Sequence, residues 1–143
     1  MNIKIKLIDQ SLPMPSYQTE GAVAFDLYAR KDVVISPFTP TFVPTNFIVK
    51  IPKGYFLMVA SRSSTPLKKN LMLANGIGVI DQDYCGDDDE LRLLMLNFSK
   101  QNVEVKRGER IGQAILVKIA KADKFLKVTS MNKKSRGGFG STG

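Results

Sequence analysis

From Asp32 to Ala60 the chain is broken by Pro37, Pro40, Pro44, Pro52 and Gly54. The pieces between these breaks are too short for a stable helix, and proline in a helix interior removes a donor and clashes with the preceding turn. They are rich in valine, isoleucine, phenylalanine and tyrosine, residues that suit a pleated, half-buried surface. Short β-branched or aromatic runs separated by turn residues predict an all-β sandwich or barrel. MNIKIKLI alternates with period two and adds a strand. DELRLLMLNFS and RIGQAILVKIA are two more, the second introduced by the turn KRGE, and only TPLKKNL has the pattern of a helical turn.

With 143 residues, no fixed-period repeat and no linker, the chain is expected to form one domain with a real core. No apolar run approaches the ~20 residues of a membrane span, and the N-terminus lacks a signal-peptide core. A single cysteine, Cys85, cannot build an internal disulfide framework, so an intracellular, cytoplasmic location is expected. For a viral chain this becomes host-cell cytoplasm or nucleus.

The sequence contains no histidine. That excludes a Ser-His-Asp triad, a His-bound zinc and an imidazole base. Acid-base chemistry must come from a carboxylate, lysine, tyrosine or water. The formal charge of +8 asks for a polyanionic partner, either nucleic acid or the phosphates of a small ligand. Lys118, Lys121, Lys124 and Lys127 recur every three residues, but Val117, Ile119 and Val128 favour strand and turn over a helical stripe. The run Asp87-Asp88-Asp89-Glu90 lacks EF-hand spacing and reads as a solvated hairpin tip.

Three stretches carry candidate chemistry. ASRSST places Arg62 among hydroxyls at a strand end, a group able to donate to phosphate oxygens or to fill an ordinary turn. In ANGIGVIDQDY, Asn75-Gly76 predicts a tight hairpin leading to Asp81, which could hold and deprotonate a water. The same segment also reads as a plain hairpin capped by an aspartate. RGERIGQA supplies Gln113, a neutral amide that could meet phosphate or a metal-bound water. The chain closes on SRGGFGSTG, too rich in glycine to bury much.

In order, EGAVAFDLYAR, ASRSST, GIGVIDQDYCG, RGERIGQAI and RGGFGSTG resemble the five successive motifs of the trimeric dUTP diphosphatases (dUTPases), over about Glu20 to Gly143. The resemblance implies an all-β fold, a dUTPase-like β-barrel or jelly-roll domain over 1–130. Residues 131–143 would form a flexible C-terminal arm closing over the nucleotide. It implies conversion of dUTP to dUMP and pyrophosphate with Mg²⁺, which limits uracil incorporation into DNA and supplies dUMP for dTMP synthesis. It further implies a homotrimer with active sites at subunit interfaces, no membrane association and no need for nucleic acid; relatives of this kind also bind regulatory proteins.

Carried over by position, Asp26 would support Mg²⁺ indirectly, through water, and Arg62, Ser63 and Ser64 would bind phosphates. Asn75 and the backbone from Gly76 to Ile80 would read uracil. Asp81 would activate the attacking water, and Tyr84 would pack beneath the deoxyribose. Gln113 would contact the phosphates, Phe139 would stack on the base, and Gly140, Ser141 and Thr142 would clasp the γ-phosphate. Arg136 would supply the arm's cation, with Lys134 a rival by spacing. Three departures stand out: Ser64 and Cys85 replace a usual glycine and a common arginine, and the acidic run lengthens its loop.

Two alternatives follow. The homologous dCTP deaminases need a glutamate where Leu94 stands, and LRLLMLN has none. A basic all-β module binding nucleic acid or protein accounts for the charge but not for Asp81 or the C-terminal motif.

Overall fold

Strand β11 (Arg110–Lys118) organises the fold of the computed structural model, which describes residues 1–138 and 140. It pairs antiparallel on one side with β2 (Phe25–Tyr28) and on the other with β6 (Tyr55–Ala60). Beyond β6 lies β8 (Gly78–Ile80), completing a four-stranded sheet. A second sheet places β9 (Arg92–Asn97) between β4 (Thr41–Pro44) and β7 (Leu71–Leu73). Two ribbons pair β1 (Lys4–Leu7) with β5 (Phe47–Lys50), and β3 (Val33–Ile35) with β10 (Val103–Val105).

The alternation explains the layering. In β9, Leu93, Met95 and Asn97 are buried while Arg92, Leu94 and Leu96 turn outward. Their inward side chains meet Leu27, Phe47, Leu57, Leu71 and Ile111 in one core. Buried Asn97 is satisfied by donating to the carbonyls of Ile35 and Gln101, at 2.9 and 2.7 Å.

The all-β expectation holds. The ladders form four separate sheets, however, and no closed ring of strand pairs appears among the described residues. The one helix described, α1 (Ser64–Lys69), ends on Asn70 in the left-handed region at φ 53°, where asparagine is tolerated. Among the described residues no helix is long and apolar enough to cross a membrane.

Three expectations need correction. The Asn75-Gly76 turn forms, with Gly76 at φ 73° and its N–H donating to the Leu73 carbonyl at 3.1 Å. Yet β7 pairs with β9 and β8 with β6, so the turn joins two sheets instead of closing a hairpin. Outward Met72 and inward Leu71 and Leu73 already fit β7 to the second sheet, and burial outweighs the local turn preference.

The acidic run is solvated only in part: Asp87 and Asp88 are exposed, whereas Asp89 and Glu90 are half-buried. Asp87 accepts from the Lys6 ammonium at 2.8 Å, and Asp89 accepts from the Gly86 N–H at 2.6 Å. Glu90 takes a two-pronged ion pair from Arg30, at 2.7 and 2.9 Å, and also accepts from the Asn46 N–H. Asp87, Asp89 and Glu90 each meet a specific donor that composition does not reveal. Finally, β11 ends at Lys118, and residues 119–130, Val128 among them, form no strand within the chain.

Candidate active site

The ladder register aligns the first group of site residues. Gln113 at the centre of β11 faces Asp26 on one side and Ala60 on the other, so the three lie abreast on one sheet face. Just past Ala60 the chain leaves the sheet, and Arg62 turns back so that its Nε donates to Asp26 Oδ1 at 2.8 Å. Arg110, at the start of β11, gives Asp26 Oδ2 a second contact at 3.1 Å. One buried carboxylate thus holds two guanidiniums and leaves one net positive charge at the strand ends.

Backbone ties fix the loop that carries the serines. The Gln113 amide donates to the Ser61 carbonyl at 2.9 Å, and the Ser61 hydroxyl accepts from the Leu73 N–H at 3.2 Å. Ser63 is exposed at the start of α1, and its hydroxyl makes no capping bond. Ser64 is half-buried in the first helical turn. Gly112 permits this arrangement: a Cβ there would stand 2.6 Å from Leu93 Cδ1 and 3.4 Å from the Ala60 carbonyl.

The second group lies at the other end of β6. Ile80 pairs with Leu57, so Asp81 falls beside Phe56, and Ala60 lies four residues further, about 13 Å along the strand. Asp81 is exposed and lines a cleft of about 290 Å³ with Tyr55, Gln82 and Lys121. The Gln82 amide donates to the Tyr55 carbonyl at 2.9 Å, anchoring the residue that follows Asp81. Tyr84 donates its hydroxyl to the Glu90 carbonyl at 3.2 Å, so the Arg30–Glu90 pair also steadies the ring. Asn75 and Ile80 line a different cleft of about 260 Å³, beside Phe42 and Arg92.

The structure therefore brings together Asp26, Arg62 and Gln113 near Ser63 and Ser64; Asn75 and Ile80 line a second cleft, and Asp81 lines a third at the Tyr55 end of β6. It does not join these within one chain. Arg136 is exposed and Gly140 sits at φ 88°, while the expectations for Phe139, Ser141 and Thr142 fall outside the described residues. Sequence reasoning passed over Arg110, Ser61 and Gln82, all inside the quoted motifs. Their roles depend on which carboxylate or carbonyl lies opposite, which only the register reveals.

Both Asp26 oxygens are occupied by guanidiniums, and among the described residues no group of three Asp, Glu, Cys or His side chains could hold a metal. The described residues do not by themselves form a magnesium cage.

A histidine-free β domain with guanidinium, amide and hydroxyl donors at one strand end and an exposed carboxylate at the other has the makings of a hydrolase for phosphorylated ligands. Comparison with known proteins narrows the class. The dUTPase family model matches residues 10–143. The deoxyuridine 5'-triphosphate nucleotidohydrolase of Zymomonas mobilis is 42% identical over 135 residues, covering 93% of this chain and 90% of the relative. That of Helicobacter pylori J99 is 38% identical over 145 residues, covering 100% and 97%. Among solved structures, the Staphylococcus bacteriophage 80alpha dUTPase with dUPNHPP superposes with a TM-score of 0.86 at 23% identity, covering 99% of this chain and 98% of that one. A phage phi11 dUTPase mutant described with a structural Mg(II) ion gives 0.79 at 20% identity, covering 92% and 99%. The chain belongs to the dUTPase family, whose activity is dUTP hydrolysis.

Proposed function

We propose that this chain hydrolyses dUTP to dUMP and pyrophosphate as a homotrimer, with each active site assembled from more than one subunit. The observation that carries the reading is the separation along β6. Asp81 and the Arg62–Gln113 group lie at opposite ends of one strand, too far apart to act on one α-phosphate within a single chain. A second copy can bring its phosphate group to the Asp81 of the first. The outward face of β4, β9 and β7 suits such assembly: Phe42 opposite Leu94 and Met72 opposite Leu96 form an uncovered apolar surface.

In the assembled site, Arg62, Ser63, Ser64 and Gln113 hold the phosphate chain, while Asn75 and the Gly76–Ile80 backbone pair with uracil. Asp81 accepts a proton from a water whose oxygen attacks the α-phosphorus. The bond to the bridging oxygen breaks, and pyrophosphate leaves with the electron pair. Tyr84, its hydroxyl held by the Glu90 carbonyl, leaves the ring edge to exclude a 2′-hydroxyl. Residues 131–143 act as the closing arm, with Phe139 over the base and Arg136, Gly140, Ser141 and Thr142 toward the phosphates.

Magnesium, which supplies charge neutralisation when bound, belongs with the phosphate oxygens of the incoming nucleotide, as is usual for this ion. Asp26 organises the two arginines instead of holding the metal. The setting is the cytoplasm. Pyrophosphate release measured with dUTP, dCTP, dTTP and UTP tests the reading: dUTP should be turned over well and the others poorly. Comparable turnover of all four would contradict the base and sugar readout.

A further inference from the structure

Ser63 and Ser64 stand at the start of a helix that cannot support itself. α1 has six residues, fewer than two turns, and so short a helix does not repay the cost of its own nucleation. Ser63 makes no capping bond, and the first turn carries no acid to meet the helix dipole. Thr65 is its one buried side chain, and Leu67 is exposed. The position of the two serines has to be set from outside the helix.

Among the described residues, Lys69 is the one side chain of α1 in an ion pair or a side-chain hydrogen bond. Its ammonium meets Glu109 Oε1 at 2.6 Å and donates to the Glu104 carbonyl at 2.9 Å. Glu109 is itself fixed: its Oε2 accepts from the Lys106 N–H at 3.1 Å, and its carbonyl accepts from the Ala29 N–H at 2.8 Å. The Lys69 and Glu109 side chains are 28% and 27% exposed, so water screens this pair less than a surface pair. The residue after Glu109 is Arg110, which shares Asp26 with Arg62. Residues 62–69 are therefore clamped at both ends onto the start of β11. Arg62 reaches it through Asp26 and Arg110, and Lys69 reaches it through Glu109. The two serines lie between the clamps.

We propose that Lys69 and Glu109 are positioning residues for the phosphate site, fixing where the Ser63 and Ser64 hydroxyls stand. The proposal rests on the dUTP reading above, in which those serines hold the phosphate chain. Loss of the clamp leaves the fold in place, because Thr65 stays buried and the Asn70 carbonyl still accepts from the Phe98 N–H at 3.0 Å. What changes is the placement of the first turn. A displacement of about 1 Å in a positioned group can cost up to about 10²-fold in rate. The effect falls on kcat, where donors aimed at developing charge matter most.

The full-length parent is compared with Lys69→Met, Lys69→Arg, Glu109→Gln and the Lys69→Met, Glu109→Gln double variant, following pyrophosphate release from dUTP. Lys69→Met and Glu109→Gln should each lower kcat about tenfold with little change in KM. The double variant should lose no more than either single one, because both remove the same pair. Lys69→Arg, which keeps the cation, should recover most of the loss. In a Ser63→Ala, Ser64→Ala background, Lys69→Met should cost nothing further. An equal loss with and without the serines would overturn the proposal, since the pair would then act on the fold and not through the hydroxyls. Parent-like kcat in both single variants would overturn it as well, and so would an arginine variant as slow as the methionine one. A parent that fails to turn over dUTP would contradict the underlying functional reading and the proposal with it.

Discussion

The two ends of β6 are built differently. At the Ala60 end, Asp26 is buried and clasped by Arg62 and Arg110, and Gln113 and Ser61 lock the loop to the sheets. At the Tyr55 end, Asp81 is exposed, and its orientation depends on neighbours: Gln82 on the Tyr55 carbonyl and Tyr84 on the Glu90 carbonyl. The end proposed to hold phosphate is thus assembled before ligand arrives, while the end proposed to activate water is open on one side. Preorganised donors stabilise charge without reorganisation during reaction. An open carboxylate suits a site that another subunit completes.

The largest expected effect strikes the open end. Asp81→Asn keeps shape and hydrogen bonding but removes the base, so single-turnover hydrolysis should slow by roughly 10²–10⁴-fold with nucleotide binding retained. Near-normal hydrolysis would move the base elsewhere and erase the contrast. At the fixed end the expected loss is in stability as well as activity. Asp26→Ala leaves two guanidiniums without their shared carboxylate and should cost about 2–3 kcal/mol, read from the denaturant midpoint. An unchanged midpoint would mean that this end is no more rigid than the other.

A smaller effect sharpens the comparison. Gln82→Ala removes one hydrogen bond to a backbone carbonyl and should cost about 1 kcal/mol or less in stability. It should lower kcat several-fold with little change in KM, and Gln82→Lys, which restores a donor, should recover part of the loss. A matching fall in stability and activity, with no recovery, would reduce Gln82 to scaffolding.

The smallest effect lies away from both ends and serves as a baseline. The Ser11 hydroxyl, followed by the Arg107 guanidinium, lowers the Asp9 pKa from its ordinary 3.8 to about 2. A depressed carboxylate stabilises the fold above its unfolded pKa, and that contribution drains away as pH falls through the folded value. Stability should therefore decline between about pH 4 and pH 2, and Asp9→Asn should flatten that limb. Asp32, held low chiefly by the Arg107 N–H, adds in the same direction.

The strand-rich middle was legible because prolines and β-branched residues leave few options for Phe25–Ala60. The motif residues were legible as types, and the structure sets Arg62 and Gln113 beside Asp26 and Asp81 in a separate exposed cleft. What stayed hidden depended on long-range pairing. Nothing local tells that Leu71–Leu73 prefers β9 to β8, or that Glu90 lies opposite Arg30, sixty residues away. The two arginine partners of Asp26 stayed hidden for the same reason.

The separation along β6 makes one claim that a single mixing experiment decides. Arg62→Ala chains retain Asp81, and Asp81→Asn chains retain Arg62. Each variant alone should hydrolyse dUTP very slowly. Unfolded together and refolded as mixed trimers, they should regain substantial activity, because some sites then combine Asp81 from one chain with Arg62 from another. Activity that stays at the level of the separate variants, in trimers verified to be mixed, would show that both residues serve the same site from one chain and would contradict the account.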